Sequence, residues 1–243
     1  MTAPVSVAGL RSDAAFLSLE HQLHLTDVLG KHAWHVDIAT PSFTFTGDHP
    51  LTCTAAHFLG TAAPGPRSWL WSWANPSGIA PAATALAEWL RGFGEQHGIA
   101  EFTAPELPFA SLPGAPNDPA VAVWALVDAA KAASGRWTSY TGDAGGGTRA
   151  AFLIGHPDFA LPPPSGPRVM RVLQEGLELG ITDHRRAVQS YAAARGLDIA
   201  WTEGSAALSG PGLSITIDFD ALGRIGTIGG KLKPVEKAWW KFW

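Results

Sequence analysis

The residues best suited to form a ligand surface lie in one short segment, RSWLWSWANP, at residues 67–76. If this segment is a strand, its side chains alternate between two faces, so Trp69, Trp71 and Trp73 share one face. The three indoles then form either the wall of a pocket for a flat or cationic ligand or a dense part of the core. The opposite face reads Ser-Leu-Ser and is the more polar of the two, which favours core packing for the tryptophans.

Two polar residues complete the candidate ligand-binding set of Trp69, Trp71, Trp73, Asn75 and His57. Asn75 precedes a proline, which favours an extended backbone and a local turn closed by the amide side chain. His57 belongs to LTCTAAHFL, residues 51–59, which the alternation of side chains predicts to be one strand with the histidine on its apolar face. A histidine there is either a hydrogen-bonded core residue, the commoner case, or a general base.

The N-terminal histidines have a spacing that superficially resembles a zinc site. His21 and His24 lie three residues apart on a predicted helix, and His32 and His35 repeat that gap where the helix meets a strand. Side chains at such a junction diverge, and no carboxylate is placed to support them. We therefore expect no bound metal.

No catalytic motif is present in the sequence, which lacks a Gly-x-Ser-x-Gly elbow, a His-Glu-x-x-His pair and a dinucleotide-binding fingerprint. The glycine run TGDAGGG, residues 141–147, lacks the Gly-Lys-Ser/Thr ending of a phosphate loop and fits a flexible hairpin. Cys53 has apolar neighbours, which predicts an inert buried thiol. We assign no catalytic residue and no cofactor.

The C-terminal tail interleaves lysines with aromatic residues in KLKPVEKAWWKFW. Three roles fit such a tail: it caps its own domain, it docks to a protein partner or a second copy of the chain, or it lies on a membrane surface. We favour the first role, and the short length argues against stable membrane anchoring. The candidate interaction residues are Lys237, Trp239, Trp240, Phe242 and Trp243.

Composition narrows the functional classes. The 243 residues carry a net charge of −4, 46% hydrophobic residues and 16% charged residues, values typical of a folded globular chain. Without a basic surplus, nucleic-acid binding is not expected. A single cysteine excludes an intramolecular disulfide, and no leader or transmembrane run is evident, so we expect a cytoplasmic protein.

Hydrophobic periodicity predicts an α+β fold in which antiparallel β meanders pack against helices. One helix is expected near residues 12–30, because apolar side chains recur there at helical spacing. The strands AWHVDI, SFTF and LTCTAAHFL follow and form a meander with the tryptophan segment. Two helices are expected near residues 81–97 and 118–133, and then two strands, RWTSY and TRAAFLI.

The chain is predicted to contain two domains. FALPPPSGPR at residues 159–168 is rich in proline, which places a linker at residues 161–168 between an α+β domain at 1–160 and a smaller α+β domain at 169–243. Aligning Glu20 with Asp183 matches the in-out pattern of residues 12–60 to that of residues 175–223 and sets Trp34 against Leu197. We therefore predict an internal duplication of a helix-plus-meander unit, to which the first copy adds the tryptophan segment.

The segment AWHVDIATPSFTFTGDHPLTCTAAHFLGTAAPGPRSWLWSWANP carries a specific pattern. It resembles DUF6882, an uncharacterised bacterial family whose signature runs from a Trp-containing strand through Leu-Gly-Thr to Trp-Leu-Trp-x-Trp-x-Asn. The matching residues are Trp34, Leu59-Gly60-Thr61 and the run Trp69 to Asn75. The resemblance covers residues of about 12–160, and it implies no catalytic residue, ligand or activity.

Two functional hypotheses follow. The first, which we favour, is a non-enzymatic binding or interaction module for a protein or a small ligand. The alternative is a small-molecule enzyme with its site near His57 and the tryptophan wall. A deep pocket joining His57 to a carboxylate would favour the enzyme, whereas an apolar patch would favour the binding module.

Overall fold

A computed structural model of the chain describes residues 5–232. The chain divides into two compact units, residues 1–161 and residues 162–243. The predicted interaction tail, Lys237 to Trp243, lies outside the described residues. Its role therefore stays a prediction.

The first unit contains four helices and two antiparallel sheets within the described residues. The helices are α1 (Val7–Leu29), α2 (Pro81–His97), α3 (Ala100–Thr103) and α4 (Pro119–Ser134). The strands are β1 (His32–Asp37), β2 (Ser42–Gly47), β3 (Leu51–Thr52), β4 (Ala55–Ala63), β5 (Ser68–Trp71), β6 (Glu106–Pro108), β7 (Ser139–Asp143) and β8 (Arg149–Gly155). Strands β1, β2 and β3 form one sheet, and the second sheet has the order β6-β5-β4-β8-β7.

The five-stranded sheet is covered differently on its two faces. Helices α2 and α4 pack on one face and form the helix-side core, whose members include Leu59, Trp69, Trp71, Leu90, Leu126 and Leu153. The three-stranded sheet covers the other face and forms the sheet-side core, which includes Phe43, Phe45, Cys53, Phe58 and Phe152. The architecture is the predicted α+β class.

Local signals explain where the long helices begin and end. The Ser6 hydroxyl accepts a hydrogen bond from the Gly9 N–H at 3.1 Å, so α1 starts at Val7, earlier than the sequence predicted. The Asp118 carboxylate accepts from the Ala120 N–H at 2.8 Å and caps α4, which ends at Gly135 in a left-handed conformation. Helices α2 and α4 lie where the sequence placed them.

The segment LTCTAAHFL is not one strand, which corrects the prediction. It breaks at Cys53 and Thr54: β3 pairs with β2, whereas β4 pairs with β5 and β8 in the other sheet. The Thr54 N–H and hydroxyl both donate to the Gly155 carbonyl, at 2.7 and 3.0 Å, and these bonds fix the crossing between sheets. The strand in the tryptophan segment is also shorter than predicted, because β5 ends at Trp71 and Ser72–Ala74 forms a 3-10 turn.

Gly60 explains why the Leu-Gly-Thr signature needs its glycine. A Cβ atom at this position would lie 2.3 Å from the Leu70 carbonyl oxygen and 2.7 Å from Cζ2 of Trp69. Only a residue without a side chain lets the Trp69 indole pass over β4 at this distance. The strand also carries a bulge between Phe58 and Gly60 in its pairing with β8.

The second unit contains α5 (Gly166–Glu175), α6 (His184–Arg195) and a four-stranded antiparallel sheet. Its strands are β9 (Asp198–Trp201), β10 (Ser205–Gly210), β11 (Leu213–Phe219) and β12 (Ile225–Leu232), in the order β12-β11-β10-β9. Helix α5 begins inside the segment that the sequence predicted to be a linker. Alternate residues of β11 are buried, as expected for a sheet with one covered face.

The two units share the order of a helix followed by a meander, and β2 and β10 occupy aligned positions. The strand register differs: Trp34 pairs with Phe45, whereas Leu208, the residue aligned with Phe45, pairs with Ile199. Leu197 lies before β9 and is not equivalent to Trp34. The residue equivalence that we predicted is therefore wrong, and the duplication itself stays a prediction.

Candidate functional site

Trp69 and Trp71 belong to the helix-side core, where neither side chain is exposed to solvent. Their rings meet edge to face with centroids 5.3 Å apart, and the Trp71 Nε1–H donates to the Glu101 carbonyl at 2.9 Å. The core alternative is thereby confirmed for these two residues. They offer no surface to a ligand.

Trp73 and Asn75 do not share the strand face of Trp69 and Trp71, because β5 ends at Trp71. Trp73 lies in the 3-10 turn, packs partly buried against the core, and carries the Arg91 guanidinium 5.1 Å from its ring centroid. Asn75 forms the expected local turn, in which its Oδ1 accepts from the Ser77 N–H at 2.9 Å. Asn75 is one of the residues that line a cavity to which none of the three tryptophans contributes.

His57 lies near the start of strand β4. It pairs with Leu153 across β4 and β8 and so shares the helix-covered face of the sheet. Neither ring nitrogen has a hydrogen-bond partner in residues 5–232, so the hydrogen-bonded core histidine that we expected is not found. Burial, and then the charge of Arg136, lowers the pKa of His57. The predicted ligand-binding set is therefore not brought together: the tryptophans pack in or against the helix-side core, Asn75 lines one cavity, and His57 lines another.

The cavity beside Asn75 has a volume of about 440 Å³ and lies between β1, the sheet-side face of β4 and β8, and the loop before α2. We call it the Trp34 cavity. Its lining residues are Trp34, Val36, Ile38, Ala39, Phe58, Thr61, Asn75, Ser77, Gly78, Ile79, Ala80, Ala144, Ala150 and Phe152.

Aromatic packing holds the wall of this cavity in place. The Trp34 ring stacks on Phe43 with centroids 5.6 Å apart and an interplanar angle of 13°. On its other flank the indole passes over Gly142, where a Cβ atom would lie 2.1 Å from Cζ2 of the indole. Phe152 and Phe58 stack at 5.1 Å and extend the apolar surface. These contacts give the indole one defined position.

Polar groups in the Trp34 cavity are few and uncharged. The side chains of Thr61, Asn75 and Ser77 supply two hydroxyls and an amide, and none of the lining residues carries a charge. Apolar walls with a small number of placed hydrogen-bonding groups are typical of small-molecule sites. The arrangement can bind and orient a molecule, but the lining holds no base to activate a nucleophile.

A family model described as "Family of unknown function (DUF6882)" matches residues 8–157. The chain belongs to this family. A comparison with curated proteins and a comparison with solved structures gave no match. Every residue that lines the Trp34 cavity lies within the DUF6882 region, which ends before the second unit.

The DUF6882 signature contained one signal that could have identified this cavity. Trp34 is the tryptophan of the first signature strand, but only tertiary structure shows that it contacts Phe152 and lines a cavity together with Phe58. Phe58 lies on the opposite side of β4 from His57, as alternation of side chains along a strand requires. The loop residues Ser77 and Ile79 carried no signal in the sequence.

Three of the four N-terminal histidines of the DUF6882 region have hydrogen-bond partners within the protein. His21 contacts the Thr138 hydroxyl at 3.3 Å, His24 the Asp158 carbonyl at 3.0 Å, and His32 the Gly30 carbonyl at 2.9 Å. Across residues 5–232, no group of three or more His, Cys, Asp or Glu side chains is arranged to hold a metal ion. In the same part of the chain, no helix is long and apolar enough to cross a membrane.

Cys53 and the glycine run are also accounted for by structure. The thiol is buried, and this burial raises the pKa of Cys53 to about 12, as expected for an inert cysteine. The run TGDAGGG contains the end of β7, Thr141 to Asp143, and the turn toward β8, in which Gly145, Gly146 and Gly147 have positive φ. It is the predicted hairpin, and a strand rather than a helix follows it.

Proposed function

We propose that the DUF6882 region is a non-enzymatic binding module whose ligand is a small, uncharged, largely apolar molecule held in the Trp34 cavity. The observation that carries this proposal is a cavity of about 440 Å³ with apolar walls, three uncharged polar side chains and no ionisable lining residue. A cavity of this volume falls in the range of about 300 to 1,000 Å³ typical of small-molecule sites.

The charge of the lining supports the choice of an uncharged ligand. An ion inside an apolar cavity must lose its hydration, which is costly without an opposite charge beside it. Thr61, Asn75 and Ser77 provide hydrogen bonds but no such charge. The Asn75 Oδ1 already accepts from the Ser77 N–H, which leaves the amide NH₂ as the group that donates to an oxygen of the ligand.

Binding is better supported than catalysis. His57, which the enzyme hypothesis required beside the tryptophan wall, lies in a different cavity, and no carboxylate is among the residues described there. The docking of a protein through the tail concerns residues outside the described range. That part of the binding hypothesis stays a prediction, as does the cytoplasmic location.

The test uses Nile red, a neutral and flat fluorescent dye, titrated into the full chain. Ala39→Trp places an indole at the exposed rim of the Trp34 cavity. Ala110→Trp is the control, because it changes another exposed alanine, in the Phe109–Ser111 turn, that does not line the cavity. We expect saturable binding in the parent chain and in Ala110→Trp, and its loss in Ala39→Trp. Equal binding by both variants would overturn the proposal.

A second variant tests the role of the amide. Asn75→Ser keeps an oxygen that can accept from the Ser77 N–H and removes the NH₂ donor. We expect Nile red, which offers a carbonyl oxygen, to bind about five- to tenfold more weakly, because one hydrogen bond is lost. Unchanged affinity would show that Asn75 only forms the turn.

A further inference from the structure

A second cavity, of about 420 Å³, lies on the helix-covered face of the five-stranded sheet. Strand β4, helix α2 and the C-terminal end of α4 surround it, and we call it the His57 cavity. Its lining residues are His57, Ala85, Leu86, Trp89, Ser134 and Arg136. It shares no lining residue with the Trp34 cavity.

Arg136 is an exposed cation at the edge of this cavity. Its backbone N–H donates to the Ser134 hydroxyl at 3.4 Å, but its guanidinium makes no ion pair or hydrogen bond with the described residues. The described lining contains no carboxylate. A guanidinium binds carboxylates through paired hydrogen bonds, so Arg136 is available to an anion from solution.

Trp89 supplies an apolar surface beside that cation. Its side chain is 48% exposed although it stacks on Phe93, with ring centroids 5.5 Å apart. Leu86, one turn earlier on α2, faces the same cavity. A half-exposed indole next to an unpaired guanidinium is complementary to a flat apolar group that carries a negative charge.

His57 is the other titratable group of the lining, and its ring nitrogens have no partner in residues 5–232. Burial and the charge of Arg136 both lower the pKa of this imidazole. The nearest acid along α2, Glu88, pairs with Arg91 at 3.3 Å instead of facing the cavity. Burial and then the charge of Arg136, which no carboxylate of the described lining offsets, therefore penalise the protonation of His57.

We propose that the His57 cavity binds a small organic carboxylate with a flat apolar body, the carboxylate on Arg136 and the body against Trp89. The negative charge of the ligand offsets the charge of Arg136 at His57, so the pKa of His57 rises when the ligand binds. By linkage, the affinity for the carboxylate increases as the pH falls through the range in which His57 takes up its proton.

The first test is calorimetric titration of the full chain with 2-naphthoate, with 2-naphthalenemethanol as the uncharged analogue. We expect the carboxylate to bind at one site and the alcohol to bind much more weakly. Arg136→Gln should weaken 2-naphthoate binding about tenfold, the effect of losing a charge-assisted contact. Arg149→Gln makes the same charge change at the start of β8, four residues from Leu153, and should leave binding unchanged.

Three results would overturn the inference: equal binding of the alcohol, equal weakening by both arginine variants, or loss of 2-naphthoate binding in Ala39→Trp. The last would place the carboxylate in the Trp34 cavity. Arg136 is exposed, so its variant should fold, and an unchanged melting temperature checks this.

The second test follows the imidazole itself. In an NMR titration, the Cε1–H signal assigned through His57→Gln should report a pKa that rises when 2-naphthoate saturates the parent chain. In Arg136→Gln the pKa of His57 should already be higher without ligand, because one of its two lowering causes is gone. A pKa of His57 that does not respond to 2-naphthoate in the parent chain would contradict the proposed position of the carboxylate.

Discussion

The two faces of the five-stranded sheet use tryptophan in opposite ways. On the helix-covered face, Trp69 and Trp71 are fully buried and contact each other and the helices. On the face covered by the smaller sheet, Trp34 is half-buried and borders a cavity. Helices with long apolar side chains fill the space above a sheet, whereas the edge strand β1 leaves part of it open. The same residue type therefore stabilises one face and offers a ligand surface on the other.

The largest expected effect is on the helix-covered face. Trp71→Ala should lower the free energy of unfolding by about 3 to 5 kcal/mol, because it removes a fully buried indole and leaves a cavity. A denaturant melt of the variant and the parent chain measures this loss. A loss below about 1 kcal/mol would remove the contrast between the two faces.

The helix layer also contains a fully buried lysine, Lys131 of α4. Its Nζ donates to the Ser18 hydroxyl at 2.7 Å and lies 3.8 Å from Asp128, yet burial lowers the pKa of Lys131 to about 8. The unfolded chain, with its ordinary pKa near 10.5, then binds the proton more tightly than the folded chain. The burial penalty is full below about pH 8 and disappears as the pH rises to about 10.5.

We therefore expect the stability of the parent chain, relative to Lys131→Met, to rise by on the order of 3 kcal/mol between pH 7 and pH 10.5. Denaturant melts of both chains across this range give the difference. The exposed Lys31→Met is the matched control and should show no such rise. A stability difference that is flat, or that falls with pH, would contradict the lowered pKa of Lys131.

Trp34 should behave differently from Trp71. Trp34→Ala removes a half-buried ring, so we expect a loss of about 1 to 2 kcal/mol in the free energy of unfolding and the loss of Nile red binding. Trp71→Ala should retain the dye under conditions in which it stays folded. If Trp34→Ala were as destabilising as Trp71→Ala, the two faces would not differ in role.

The last prediction concerns the rate at which the thiol of Cys53, in the sheet-side core, reacts with a reagent. With a buried thiol of raised pKa, the folded chain should react with a thiol reagent at pH 8 at least about a hundredfold more slowly than the unfolded chain. The absorbance of the released thiolate measures both rates. Fast labelling of the native chain would mean that the cover provided by the small sheet opens readily.

Features that depend on residues close together in the chain were predictable from the amino-acid order. A helix was predicted near residues 118–133, and α4 is found there with Asp118 and Gly135, both visible in the sequence as capping residue types, at its ends. The preference of Trp69 and Trp71 for the core followed from the alternation of a strand. The family followed from the spacing of its signature residues, and the family model confirms it.

Tertiary structure alone decided which residues face a cavity. LTCTAAHFL reads as one strand, but pairing of β4 with β8, about a hundred residues later, breaks it at Cys53 and moves its second half to another sheet. Phe58 then lines one cavity together with Trp34, whereas His57, on the other side of β4, lines a different cavity. Alternation within a strand specifies which side chains share a face, but not which distant element covers that face or how completely it fills the space.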